Sequence, residues 1–236
     1  MLKPADFFDL SDPAVAAFFA DLDYVWELLP RLADFVAELT GGKQQIEGEV
    51  MAGAYLSDRP IYIGPGAIVE PGAFIQGPAY IAGGATVKHG GFVRENVILM
   101  PGAIVGHATE AKNSLFLPNA HAPHFNYVGD SILGQRTNLG AGTKLSNLAL
   151  TNQPDSSGKR PTIKLHIQEQ EYDMGVAKMG AILGDGAQTG CNSVLNPGTI
   201  IGPRSMVYAN LSVRKGYYPP DSVLKLRQTT RTAPRQ

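Results

Sequence analysis

From Ile63 onward an aliphatic residue recurs at every sixth position, and no other feature of the chain constrains its fold as tightly. The series reads Ile63, Val69, Ile75, Ile81, Val87, Val93, Leu99 and Val105. Four residues after each stands a small one, Ala67, Ala73, Ala79, Ala85, Gly91 and Ala103, with Val97 the exception. The phase resumes at Leu133, Leu139 and Leu145. It resumes again at Leu183, Leu195, Ile201, Val207 and Val213, with Thr189 as its polar member. An α-helix repeats its apolar face about every 3.6 residues and a strand about every 2, so neither accounts for this pattern. A hexapeptide period belongs to a β-helix in which each repeat forms one short flat face and three faces close a coil of about 18 residues. The aliphatic residue then points inward and stacks on its equivalent one coil below. The small residue sits near the corner, where a larger one would not fit. Gly-Pro-Gly, Pro-Gly and Gly-Gly pairs supply the turns. The period predicts about seven or eight coils. A solenoid exposes flat faces and open ends, so capping elements and self-association are expected.

The flanks follow other rules. We divide the chain into a helical cap over 1–46, a β-helix domain over 47–216 with an insertion at 148–177, and a tail over 217–236. Ser11-Asp12-Pro13 reads as a helix start. A second helical stripe carries Val25, Leu28, Leu29, Leu32, Phe35, Val36 and Leu39; Pro30 should split it and Gly41-Gly42 should end it. The segment is expected to pack on the end or side of the β-helix. The competing reading is a partner-docking hairpin anchored by Trp26. In the insertion, NQPDSSGKRP reads as an exposed turn, TIKLHIQ alternates like a strand, and EQEYD is acidic. Together they predict a hairpin arm projecting from the solenoid, either decorative or shaping a binding site. His166 on that arm reads as a surface histidine. The basic residues Arg214, Lys215, Lys225, Arg227, Arg231 and Arg235 form a solvated end or reach the phosphates of a carried cofactor.

Composition excludes several classes. The net charge is −1, so nothing argues for nucleic acid or an anionic membrane as partners. No run approaches the roughly 18 apolar residues of a membrane helix. MLKPADFFDL lacks a basic region followed by an apolar core, so no signal peptide is expected. The single cysteine, Cys191, allows no internal disulfide and points to a reducing, cytoplasmic setting.

The chemistry lies where the period lapses, at VGHATEAKNSLFLPNAHAPHFNYVGDSILGQRTNLGAGT. Here Lys112 is followed by His124 and Tyr127, then Gly129-Asp130, then Asn138-Leu139-Gly140-Ala141-Gly142-Thr143. Acyl transfer to an amine needs the amine freed of its extra proton, which a neutral imidazole can accept near pH 7. The resulting oxyanion wants fixed donors, commonly backbone N–H groups. A Gly-Ala-Gly corner lets a long cofactor approach the backbone. The APHFNYVGD stretch reads as a loop leaving the β-helix wall to offer His124 to a cleft.

With these motifs in order, the chain resembles the hexapeptide-repeat acyltransferases. Within them it is similar to the acetyltransferase half of the bifunctional enzyme that makes UDP-N-acetylglucosamine. The resemblance covers about residues 63–216 and does not extend to a nucleotidyltransferase domain. It implies a left-handed parallel β-helix, mainly β, assembled as a homotrimer with sites between subunits. It implies acetyl-CoA as co-substrate, a small sugar or sugar phosphate as acceptor, His124 as general base, and no metal. Lys112, Tyr127, Asn138, Asn147 and Lys178 match acceptor-site positions. Ala141, Cys191 and Ala209 match positions along the acetyl-CoA groove. Two positions depart from the family: Met100 replaces a phosphate-binding arginine before Pro101-Gly102, and Leu148 replaces a tyrosine after Asn147. These departures favour, as the alternative, a catalytically inactive sugar-nucleotide-binding or scaffold trimer. A zinc site on His107, His121 and His124, as in carbonic anhydrases of similar shape, is a further possibility by ligand type alone.

Overall fold

The computed structural model describes residues 2–227; Arg231 and Arg235 of the basic end lie outside the described residues. Short strands of two to four residues coil into three parallel ladders. Sheet I holds nine strands, from Gln45–Ile46 to Gly216–Tyr218. Sheet II holds nine, from Glu49–Val50 to Val223–Leu224, and sheet III holds eight, from Tyr55–Leu56 to Ser212–Val213. This is the parallel β-helix that the period called for. Side chains alternate across a strand, so each rung turns its period-six residue inward. Ile63, Ile81, Leu99, Phe116, Leu133, Leu183 and Ile201 stack down sheet I with no exposed surface.

The lapse between Val105 and Leu133 is a change of count rather than of fold. Leu99 lies opposite Phe116, and Phe116 opposite Leu133, so two successive coils close in seventeen residues each. The dropped residue belongs to the corner between sheets III and I, where Asn113 and Asp130 adopt left-handed backbone (φ 43° and 47°). The inward series continues as Ala111, Phe116, Ala122, Val128, all fully buried. His121–His124 and Tyr127–Gly129 are rungs of sheets II and III, with a tight corner at Phe125 (φ 53°). The expected loop is therefore a wall. The coil from Ile201 to Tyr218 also closes in seventeen residues. It carries the ladders past residue 216 into the segment set apart as the tail, and its phase shift hid it from a strict period of six.

Sheet I differs from the others on its outer side. From Val97 on, its rungs read VIL, SLF, IL, AIL and TII, and they are buried on both faces. The outward Ile98, Leu115, Ile132, Ile182 and Ile200 pack in a second core. The N-terminal segment covers them. Asp12 caps helix α1 (Pro13–Ala16) by accepting from the Ala14 amide at 2.9 Å. Pro30 lies in a 3₁₀ stretch over Val25–Arg31, and helix α2 (Leu32–Thr40) follows and ends at Gly41 with φ 59°. Trp26 is almost fully buried, stacked 4.7 Å from Tyr24 and edge-on to Tyr172 of the insertion. Its contacts are internal, so it anchors no partner. The insertion does form a hairpin, Lys164–Ile167 against Gln170–Asp173. Rather than projecting, the hairpin lies on the same face, with Leu165, Ile167 and Met174 in the second core. His166 is exposed and pairs with Glu171 at 3.1 Å. The fold thus buries one of its three walls under its own chain and leaves the other two bare.

Candidate active site

At the corner between sheets III and I three of the expected acceptor residues, Lys112, Tyr127 and Asn147, come together. Asp130 is buried and gathers three side chains. The Asn113 amide donates to its Oδ1 at 2.9 Å, the Asn147 amide donates to its Oδ2, and the Lys112 ammonium stands 3.9 Å away. Lys112 is also 3.7 Å from Glu95. A Cβ added at Gly129 would lie 2.7 Å from the Tyr127 hydroxyl and 2.9 Å from the Asn147 amide nitrogen. Tyr127 and Asn147 therefore meet over that glycine. Burial raises the Tyr127 pKa; Glu110 and Asp130 raise it further, against Arg94 and a hydrogen bond from Asn147. Its hydroxyl stays protonated and can donate. Arg94 is held by Glu110 at 2.9 Å. Asp130, Glu110 and Arg94 complete the cluster, and sequence reasoning did not select them. Only the Gly-Asp dipeptide after Tyr127 signalled the first of them.

The insertion leaves and returns at one point. The Met179 amide donates to the Asn147 carbonyl at 3.1 Å, and the Gly180 amide to that of Asp130 at 2.9 Å. Lys178 is thereby placed beside Asn147, and it is exposed. Asn138 stands elsewhere. It lies opposite His121 on the outer side of sheet II, and sheet III, which carries Tyr127, faces another way. Within one chain Asn138 does not join Lys112, Tyr127 and Asn147.

His124 sits at the corner between sheets II and III and is exposed. Its amide donates to Asn126 Oδ1 at 3.1 Å, and the buried Asn126 amide group reaches the Gly140 carbonyl at 2.8 Å. Asn126, also unselected from sequence, fixes this corner to the next coil. Lys144 donates to the Phe125 and Gly142 carbonyls at 3.2 and 2.6 Å. Down the same corner, the Gly142 amide donates to the His124 carbonyl, the Asn192 amide to Ala141, and the Asn210 amide to Cys191. His124, Ala141, Cys191 and Ala209 thus form one column. Space there is tight: a Cβ on Gly140 would come 2.6 Å from the Cys191 nitrogen, and one on Gly190 2.4 Å from that of Ala209. The column is a strip of small side chains and backbone, which suits a long, flexible co-substrate. The same corner carries His107, opposite His124 in register. Its ring stacks on His89 and bonds the His89 carbonyl at 2.9 Å, while His121 turns to the Gly102 carbonyl at 3.2 Å. Among the described residues no three-histidine group is drawn together.

Met100 is buried. It lines an apolar cleft of about 240 Å³ with Phe18, Phe35, Leu39 and Tyr80. The position before Pro101-Gly102 is thus part of the seat for the N-terminal helices.

The chain is 36% identical over 106 residues to the bifunctional protein GlmU of Methanococcus aeolicus, covering 45% of this chain and 24% of that protein. It is 30% identical over 111 residues to a bifunctional sugar-1-phosphate nucleotidylyltransferase/acetyltransferase of Sulfurisphaera tokodaii, covering 47% and 26%. The chain spans about a quarter of the length of these curated relatives. No family model matches. Among solved structures, the acetyltransferase domain of PglB from Neisseria gonorrhoeae, in complex with acetyl coenzyme A, aligns over 73% of this chain and 50% of its own, with 13% identity and a TM-score of 0.26. The polysialic acid O-acetyltransferase OatWY aligns over 80% and 95%, with 10% identity and a TM-score of 0.32. Among the described residues no helix is long and apolar enough to cross a membrane.

Proposed function

We propose that this chain transfers an acetyl group from acetyl-CoA to the amine of an amino sugar, a sugar phosphate or a sugar nucleotide, with His124 as general base. One observation carries the reading. Lys112, Tyr127 and Asn147 converge on Asp130, and the exposed His124 lies three residues before Tyr127 on the same coil. Sequence similarity to GlmU supports it. In this scheme the amine enters uncharged, its ammonium proton lost to solvent, and the neutral imidazole takes a second proton from the nitrogen as it attacks. The amine adds to the thioester carbonyl, the carbon–sulfur bond breaks, and the thiolate leaves with a proton returned from the imidazolium. The strip from Ala141 through Cys191 to Ala209 holds the co-substrate. Lys178 and Asn138 complete the acceptor site, Asn138 from the sheet II wall of a second copy.

That last step calls for a homotrimer. Sheet I is covered by the chain itself over most of its length, which leaves the walls of sheets II and III as the broad surfaces for contact between copies. These walls carry exposed apolar side chains, among them Phe74 on sheet III and Met206 on sheet II. Packing sheet II of one copy on sheet III of the next brings Asn138 toward Tyr127. The lone Cys191 is compatible with a cytoplasmic setting.

The test is release of free CoA thiol from acetyl-CoA across a panel of amino sugars and their phosphates. His124→Ala should lower turnover by about 10²-fold or more, the scale of general-base catalysis. Unchanged turnover in that variant removes His124 as base. Binding without turnover by the native protein returns the scaffold reading, which the loss of the arginine at Met100 favours.

A further inference from the structure

The corner between sheets III and I continues beyond the cluster at Asp130. Leu145 pairs with Leu195 and Leu195 with Val213. Ser146, Asn196 and Arg214 therefore share one column, and Asn147, Pro197 and Lys215 the next. The coil that carries Arg214 and Lys215 also closes in seventeen residues, and its corner lies two rungs from Asn147. At about 4.8 Å per rung, Lys215 lies roughly 10 Å from Asn147 along the solenoid axis. Ser146, Asn196, Arg214 and Lys215 line a cleft of about 670 Å³ whose other wall is Leu148 and Leu150 at the start of the insertion. No acidic residue is among its lining residues. Leu150 is 94% exposed.

Charge distinguishes the two ends of this corner. Around Lys112, the cations Arg94 and Lys112 meet three carboxylates, Glu95, Glu110 and Asp130. That end repels a phosphate and attracts an ammonium. The Arg214 end carries two cations and no carboxylate in its cleft. Lys215 gives one hydrogen bond to the Lys164 carbonyl at 3.1 Å, which ties the cleft to the hairpin and leaves its charge in place. A guanidinium is suited to grip phosphate oxygens in pairs.

We infer that Arg214, assisted by Lys215, binds the phosphate of the acceptor, in place of the clamp lost at Met100, with the apolar wall at Leu148 and Leu150 against the rest of the molecule. The acceptor's phosphate end lies along this corner, and its amine reaches past the Asp130 cluster and the Tyr127 rung toward His124. The inference rests on the acyl-transfer reading for the identity of the amine, and on the cleft alone for the phosphate.

The experiment compares three acceptors, a free amino sugar, its 1-phosphate and its nucleoside-diphosphate derivative, by CoA release with native protein and with Arg214→Gln. Calorimetry measures binding of a nucleoside diphosphate and of pyrophosphate to His124→Ala and to His124→Ala/Arg214→Gln. Native protein should prefer a phosphate-bearing acceptor, and Arg214→Gln should cut that kcat/KM preference about tenfold or more, the scale of one charge-assisted hydrogen bond. Arg214→Lys should recover part of it, and diphosphate binding should weaken in parallel. Preference for the 1-phosphate assigns the site to a sugar phosphate, and preference for the nucleoside derivative alone assigns it to a sugar nucleotide. Undiminished preference and binding in a folded Arg214→Gln protein overturn the inference and leave acyl transfer standing. Arg214-dependent diphosphate binding with no acetyl transfer to any amine sinks the acyl-transfer reading and keeps the phosphate site. Neither binding nor turnover sinks both.

Discussion

Asp130 holds its neighbours by geometry that a single substitution can test. Three side chains approach one buried carboxylate. Asp130→Ala leaves the Asn113 and Asn147 amides and the Lys112 ammonium without that acceptor. Truncating one partner in a buried polar network costs about 1–3 kcal/mol, so urea unfolding should shift by that amount. The acceptor KM should rise in the same variant while the KM for acetyl-CoA changes less, because the strip at Ala141, Cys191 and Ala209 lies on another corner. At this scale the sequence was legible in part. Lys112, Tyr127 and Asn147 could be selected because they stand in a motif. Asp130, Glu110, Arg94 and Asn126 could not be weighed, since their roles arise from stacking of coils that sequence distance does not measure.

At the scale of elements, the N-terminal segment and the hairpin act as one cover over sheet I. Met100 belongs to that packing, and this gives its presence a physical reason beyond the loss of an arginine. Met100→Arg should not restore a phosphate clamp. It would place a guanidinium among Phe18, Phe35 and Tyr80, with Glu38 at the rim of the same cleft, at a cost on the order of 1–3 kcal/mol for overpacking and desolvation. A fall in Tm with faster proteolysis of the helical segment is expected. Phosphate affinity that rose with Tm unchanged would contradict this account. The apolar runs VIL, AIL and TII in sheet I already hinted at burial on both faces. What covers them could not be read, because the stripes of the helices and hairpin match any apolar wall equally well.

For the whole molecule, two bare walls and one covered wall set how copies can associate. Light scattering should give three times the chain mass, and Phe74→Glu should shift it toward the single-chain mass by placing charge on a joining wall. Stability should also depend on alkaline pH. Burial raises the pKa of Tyr80, Tyr127 and Tyr218, so the folded chain keeps phenolic protons that an unfolded one loses above about pH 10. The stabilisation is whole below that pH and is lost as pH rises through the folded values. The urea midpoint should therefore fall between pH 9 and pH 11, and Tyr80→Phe should flatten the fall. By itself the sequence determined the coil, because a period of six calls for burial of every sixth side chain, and it singled out the stretch that holds Lys112, Tyr127 and Asp130. It misplaced the lapse at APHFNYVGD, since a period cannot show a coil that closes one residue early. Only the tertiary structure decided that this stretch is wall, that the stacking register sets Lys112, Asp130 and Lys215 on one corner, and that Met100 lies under the helices. Those are consequences of which coil stacks on which, and stacking is settled by packing across the chain rather than along it.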